Sequence, residues 1–167
     1  MLIILFSSCV KKDEFSNIPH ITFNKIEQFK DKNGDDSLLR VYVDYTDGDG
    51  DIGLDSTNTD PVFGVKSEYY YNFFVEFFDV VGGIETKRTY GNPNDTFTYF
   101  LDTVHFSQRL TNITPVGKNK AISGTITMDI LYLPLAFISP PYQNSKFTFQ
   151  LVDRKLNRSN KLVTPTY

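Results

Sequence analysis

The sequence predicts an all-β domain, a β-sandwich of immunoglobulin-like type with about seven to nine strands. Three observations carry that expectation. All aromatic residues are Phe or Tyr, 15 and 10 of them with no Trp, and such rings favour a pleated surface. Apolar and polar residues alternate with a period of two in several short runs, which is the signature of half-buried strands. Turn residues separate these runs, and no amphipathic helix longer than one or two turns can be drawn. A closed β-barrel is the alternative architecture. The chain lacks a Cys…Trp…Cys core, so an antibody-type domain is excluded.

Taken in order, Ile21 and Phe23 alternate with Thr22 and Asn24, and Ile26 to Phe29 continue the strand past a bend. Lys32-Asn33-Gly34-Asp35 predicts a hairpin turn of type I′, because Asn-Gly accepts the positive φ angles that turn requires. Leu39, Val41, Val43 and Tyr45 then alternate with Arg40, Tyr42 and Asp44. Glu68 to Val81 is a long Tyr/Phe/Val run, turned back by Gly82-Gly83 into Ile84 to Tyr90. A loop at 91–95 leads to a short strand through Phe97, Tyr99 and Leu101, and Val104 to Leu110 is a further strand or an irregular crossing. After a turn at Pro115 to Asn119, Ile122 to Leu133 reads as a strand with Gly124 as a bulge. Ser139-Pro140-Pro141 breaks the chain, Phe147, Phe149 and Leu151 alternate again, and Leu162-Val163 pairs at the end. Tyr69-Tyr70-Tyr71 reads first as strand packing and second as a stacking platform for a glycan or partner.

The 167 residues are enough for one domain with a core, and 40% of them are hydrophobic. Net charge is −3, with no basic block beyond Lys11-Lys12, which leaves nucleic-acid binding without support. The one cysteine, Cys9, can form neither an internal disulfide nor a thiolate metal site.

What surrounds Cys9 gives it another meaning. Met1 to Phe6 is apolar, and Ser7-Ser8-Cys9 follows. Small residues directly before a cysteine resemble a lipobox, where a signal peptidase cuts and the thiol carries diacylglycerol. Phe6 stands where Leu is usual, with Leu5 one step back, and the segment has no basic start. Its apolar stretch of about six residues falls short of the roughly 7–15 of a signal peptide, so residues 1–8 read as a truncated one. The expected organisation is a signal peptide at 1–8, a lipidated Cys9 with a charged tether at 9–17, and a single sandwich at 18–167. Lys12-Asp13-Glu14 resembles the lysine-then-acidic export signal of Bacteroidetes surface lipoproteins. The expected location is therefore the cell envelope, lipid-anchored at the outer membrane and exposed at the cell surface.

The most specific internal feature is Tyr45-Thr46-Asp47-Gly48-Asp49-Gly50-Asp51-Ile52-Gly53-Leu54. Aspartates at i, i+2 and i+4 with intervening glycines let three carboxylates converge. Calcium takes six to eight hard oxygen ligands, and this spacing begins to supply them. The likeness to an EF-hand loop is partial, since Ile52 occupies the turning-glycine position and Asn58 the place of the final glutamate. Further ligands would have to come from elsewhere, and Asp44, Asp55 and Asp60 are near candidates. The other reading is a loop whose aspartates cap turn amides. Both readings stay open at the level of sequence.

Together with Leu151-Val152-Asp153-Arg154-Lys155-Leu156-Asn157-Arg158-Ser159-Asn160 and Thr164-Pro165, this loop resembles a group of uncharacterised Bacteroidetes lipoproteins. With the lipobox and tether, the likeness covers nearly the whole chain. It implies an envelope location and an immunoglobulin-like domain, and it implies no activity. Asp36-Ser37-Leu38, Asp102-Thr103-Val104 and, more loosely, Asp55-Ser56-Thr57 resemble O-glycosylation sites of exported Bacteroidetes proteins, marking Ser37, Thr103 and Ser56.

No G-x-S-x-G elbow, H-E-x-x-H, phosphate loop or dinucleotide fingerprint occurs, and His20 and His105 have no partner motif. The expected role is a non-enzymatic interaction or accessory domain for an envelope protein, with a calcium ion as the one expected cofactor. The alternative is a glycan-binding lipoprotein of a nutrient-uptake system.

Overall fold

The computed structural model describes residues 15–59, 61–87, 106–116, 120–131 and 145–166. Cys9, Lys12-Asp13-Glu14, Asp60, Thr103, His105 and the expected strand through Phe97 to Leu101 lie outside the described residues. Among the described residues the chain is all-β, with seven strands in two antiparallel sheets and no closed barrel. This is a β-sandwich. One sheet has the order β1-β2-β5, from β1 (His20–Lys30), β2 (Asp36–Asp47) and β5 (Ile122–Leu131). The other has the order β4-β3-β6-β7, from β3 (Phe73–Val81), β4 (Ile84–Lys87), β6 (Ser145–Leu151) and β7 (Leu162–Val163).

The core follows from the two-residue period. Leu39, Val41 and Val43 of β2 are buried opposite Ile130, Met128 and Ile126 of β5. From the other sheet, Phe73, Val75 and Phe77 face inward beside Leu151, Phe149 and Phe147. Phe73 stacks on Phe149 with centroids 5.5 Å apart, and the edge of Phe106 meets both Phe77 and Phe147. Burying a Phe side chain contributes roughly 1.5–3 kcal/mol, so this aromatic layer is a main source of cohesion between the sheets. Asn160 fastens them further, accepting from the Ile21 amide and donating to the Ile21 carbonyl, each at 2.9 Å.

The bend expected in β1 is a one-residue bulge at Asn24. Pairing steps from Phe23–Val43 to Lys25–Tyr42, which returns Ile26 to the core side.

Three sequence expectations are corrected. Gly124 is not a bulge, because β2 and β5 pair without a register shift from Leu38–Leu131 to Asp47–Ile122. Its missing side chain makes room for the Tyr45 ring: a Cβ there would lie 2.9 Å from the Tyr45 hydroxyl. The β1–β2 turn is not type I′, since only Gly34 has positive φ, at 89°. Asp31 organises it instead, its Oδ1 accepting from the Asn33 and Asp35 amides at 2.8 and 3.0 Å. Finally, the run from Glu68 becomes a strand only at Phe73, because residues 61–70 form a series of turns and bends.

Candidate cation site at the end of the sandwich

The inward face of β2 does not stop at its last apolar residue. Leu39, Val41, Val43 and Tyr45 set a phase that places Asp47 inward as well, at the end of the core. Its side chain is fully buried, 0% exposed. The following residues curl back over it. Gly50 has φ +62° and Gly53 φ +88°, angles that L side chains rarely adopt. A Cβ on Gly50 would also strike the Lys120 carbonyl, and one on Gly53 the Thr111 carbonyl. Ile52, 0% exposed, plugs the loop into the core. Leu54 and Ile52 then tie it to the segment 110–113, through Leu54 N–H to Leu110 O at 2.8 Å and Ile113 N–H to Ile52 O at 3.3 Å.

This folding brings one carboxylate oxygen from each of Asp47, Asp49 and Asp51 within 4.8 Å of one another. The cluster could hold a metal ion. The Asp47 Oδ2 accepts from the Asp51 amide at 3.0 Å, so one carboxylate oxygen shapes the loop. The Oδ1 atoms of all three aspartates are buried and accept no hydrogen bond from any of the described residues. Asp51 is also nearly closed off, at 8% exposed. Buried acceptors are almost always satisfied by protein, ordered water or an ion, and carboxylate oxygens suit a cation. Burial, together with repulsion from Asp49 and Asp51, pushes the Asp47 carboxyl up to about 6, and burial with repulsion from Asp153 and Asp49 raises that of Asp51. Asp47 caps an amide, as the second reading of the sequence has it, and the three carboxylates converge, as the first requires.

A second loop packs against the first. Asp153, 1% exposed, closes a turn by accepting from the Lys155 and Asn157 amides at 2.9 and 2.8 Å. The Arg154 amide donates to the Asp51 carbonyl at 3.2 Å. The Arg154 guanidinium donates to the Gly53 carbonyl at 2.8 Å, to Asn112 Oδ1 at 2.9 Å and to the Thr114 hydroxyl. The Lys155 ammonium pairs with Asp49 Oδ2 and lies 3.5 Å from Asp51 Oδ2. Sequence reading did not place these three residues at the site. The one signal available was that Asp47 continues the inward phase of β2 and so must lie under something.

The other candidate ligands are elsewhere. Asp44 faces outward on β2 and accepts from Asn24 and from Thr125. Asp55 caps its own turn through Thr57 and binds Asn112 at 3.1 Å, which holds its carboxyl down at about 2. Of the expected glycosylation positions, Ser56 is exposed in a turn, and the Ser37 hydroxyl donates to the Phe29 carbonyl at 3.1 Å. His20 is exposed at the start of β1. Tyr69 to Tyr71 precede β3 rather than lying in it. Tyr69 sits under the Arg158 guanidinium, and Tyr70 under that of Arg109. Arg109 donates to the carbonyls of Asn58, Tyr70 and Phe63, so it knits the turn-rich segment together. An open depression of about 660 Å³ lies beside it, lined by Leu54, Phe63, Val65 and Tyr70 among others.

No protein-family model, curated protein or solved structure matches this chain.

Proposed function

We propose that the chain is a non-enzymatic, lipid-anchored lipoprotein of the bacterial cell envelope, whose sandwich is an interaction domain braced by a calcium ion at Asp47, Asp49 and Asp51. The observation that carries the calcium part is the triad itself, Asp47 and Asp51 buried and Asp49 half-buried, with three Oδ1 atoms that accept no hydrogen bond among the described residues. All three offered ligands are carboxylate oxygens, with no His or Cys among them. That is the donor set of a hard cation, and the glycine-rich backbone supplies the adaptable geometry that calcium tolerates better than magnesium does.

The anchor part rests on Ser7-Ser8-Cys9 and on the charged tether through Lys12-Asp13-Glu14. It has a geometric consequence. The Gly48 amide donates to the Ser16 carbonyl at 2.7 Å, so the chain enters the domain beside the acidic loop. Roughly six residues separate Phe15 from Cys9, at most about 20 Å of extended chain. A lipidated Cys9 would therefore hold the calcium end of the sandwich close to the bilayer and turn the opposite end outward toward a partner.

Two measurements test this reading. Thermal melts with millimolar calcium and with chelator should differ, since a ligand at 100 times its Kd stabilises by about 2.7 kcal/mol. Identical midpoints would overturn the calcium part. Metabolic labelling with a radioactive fatty acid should mark the wild type and not Cys9→Ser; an unlabelled wild type would overturn the anchor.

A further inference from the structure

We infer that Lys155 is the built-in competitor of the cation, an ammonium that neutralises the acidic loop when the divalent ion is low and sets how much ion is needed to load it. The inference rests on the cation reading of Asp47, Asp49 and Asp51 and concerns how that site is regulated.

The carboxylate oxygens divide between two tasks. The Oδ1 atom of each aspartate is buried, and no donor among the described residues reaches it. On the outer side, the Lys155 ammonium pairs with Asp49 Oδ2 and lies 3.5 Å from Asp51 Oδ2. The same two aspartates thus serve the lysine and the ion.

The lysine is held from below and loose at its tip. Its backbone is fixed by the Asp153 turn, in which Asp153 Oδ1 accepts from its amide at 2.9 Å, and the neighbouring Arg154 amide is bonded to the acidic loop itself. Its side chain is 61% exposed, against 20% for Asp49 and 12% for Asp51. It can therefore swing into water without unpacking anything, while the carboxylates stay where they are. An ammonium built to brace the loop permanently would be expected to be buried with its partners. This one is attached to a rigid turn beside the site and is free to leave.

Titration calorimetry with calcium as the only probe, on the full chain and on Lys155→Met, tests the inference. A unit positive charge held about 5 Å from a divalent ion would oppose it by roughly tenfold in affinity even at the dielectric of water, so loading drives the ammonium off and forfeits its pairing with Asp49 and Asp51, a cost of the same order. Lys155→Met should therefore bind calcium about tenfold more tightly, and Lys155→Arg, which keeps the charge, should bind as the wild type does. In chelator, Lys155→Met should melt lower than wild type, because its carboxylates have lost their counter-charge. Binding to both wild type and Lys155→Met with equal affinity would overturn the competitor role and leave the calcium site standing. Absence of binding in both proteins, each folded by circular dichroism, would overturn the calcium reading and the inference with it. If Lys155→Met does not fold, Lys155→Gln carries the same comparison.

Discussion

Replacing Asp47 by Asn separates the two demands on the acidic loop, because it removes charge while leaving shape almost unchanged. In chelator at neutral pH the wild type holds three carboxylates with oxygens within 4.8 Å and, among the described residues, the Lys155 ammonium beside them. Two unit charges at that separation repel by about 3.5 kcal/mol at an effective dielectric of about 20. Independently, the Asp47 carboxyl is raised from 3.8 to about 6, and a displacement of that size corresponds to about 3 kcal/mol of cost for keeping it ionised. Burial is the larger cause of that displacement and repulsion from Asp49 and Asp51 the smaller, so the neutral amide relieves both. Asp47→Asn should therefore stabilise the metal-free protein, by about 1–3 kcal/mol once the lost attraction to Lys155 is set against the relief. The amide keeps an oxygen for the Asp51 N–H and turns two donors toward the orphaned oxygens. At roughly 2–4 °C per kcal/mol for a chain of this size, the midpoint should rise by about 2–12 °C in chelator. With calcium the order should change, since the variant has lost a charged ligand and should gain less on loading. The assay is calorimetric melting of both proteins in chelator and in calcium. A variant that melts lower than wild type in chelator would refute the electrostatic reasoning, and an undiminished calcium response would show that Asp47 is not a ligand.

Other expectations concern the frame around the site. Glu76, held by Lys161 and Lys87 at 2.6 Å each and by Thr148 at 2.9 Å, has its carboxyl pulled down to about 2 by those hydrogen bonds. A depressed folded-state value means its contribution is complete above the unfolded value near 4.5 and fades as pH falls toward 2. Discounted for partial exposure, Glu76→Gln should cost about 1 kcal/mol at neutral pH, with the difference vanishing in acid, as read by urea unfolding across pH. Gly124→Val should cost about 1–2 kcal/mol by crowding the Tyr45 ring. In a Tyr45→Leu background that penalty should shrink, and an unchanged penalty would show that the ring is not the cause. Arg154→Met should cost about 1–2 kcal/mol by stranding the Gly53 carbonyl, while Asn112 Oδ1 keeps the Thr114 amide as a donor. It should also weaken calcium binding, which titration calorimetry would detect.

How much of this was legible in the sequence depends on the range of the interaction. The strand faces were legible because period-two patterning is local: Leu39, Val41 and Val43 announce their own burial. The bulge at Gly124 was misread because a glycine in a strand has two physical causes, an extra residue or a close neighbour. Only the β2–β5 register, set by residues some eighty positions away, distinguishes them. The hairpin turn was placed correctly and typed wrongly, because the Asp31 carboxylate organises it from just outside the Asn-Gly pair.

The acidic loop shows the same limit most clearly. Its spacing disclosed that three carboxylates could converge, and no more. What the loop does with them is decided by a fold-level fact, that the inward phase of β2 runs on through Tyr45 to Asp47 and buries a carboxylate where a core residue would stand. Burial converts a solvated acidic turn into a set of unsatisfied oxygens, and the turn at Asp153 then brings Lys155 to its rim from more than a hundred residues away. Asp-Gly-Asp-Gly-Asp and Asp-Arg-Lys-Leu-Asn, two separate segments in the chain, are thus the two halves of one electrostatic unit. An aspartate in such a place works against the sandwich unless something answers its charge. Either Lys155 does so alone, at the cost of three orphaned acceptors, or a cation completes the set. The first arrangement leaves the domain foldable without the ion, and the second makes it stiffer once the ion arrives.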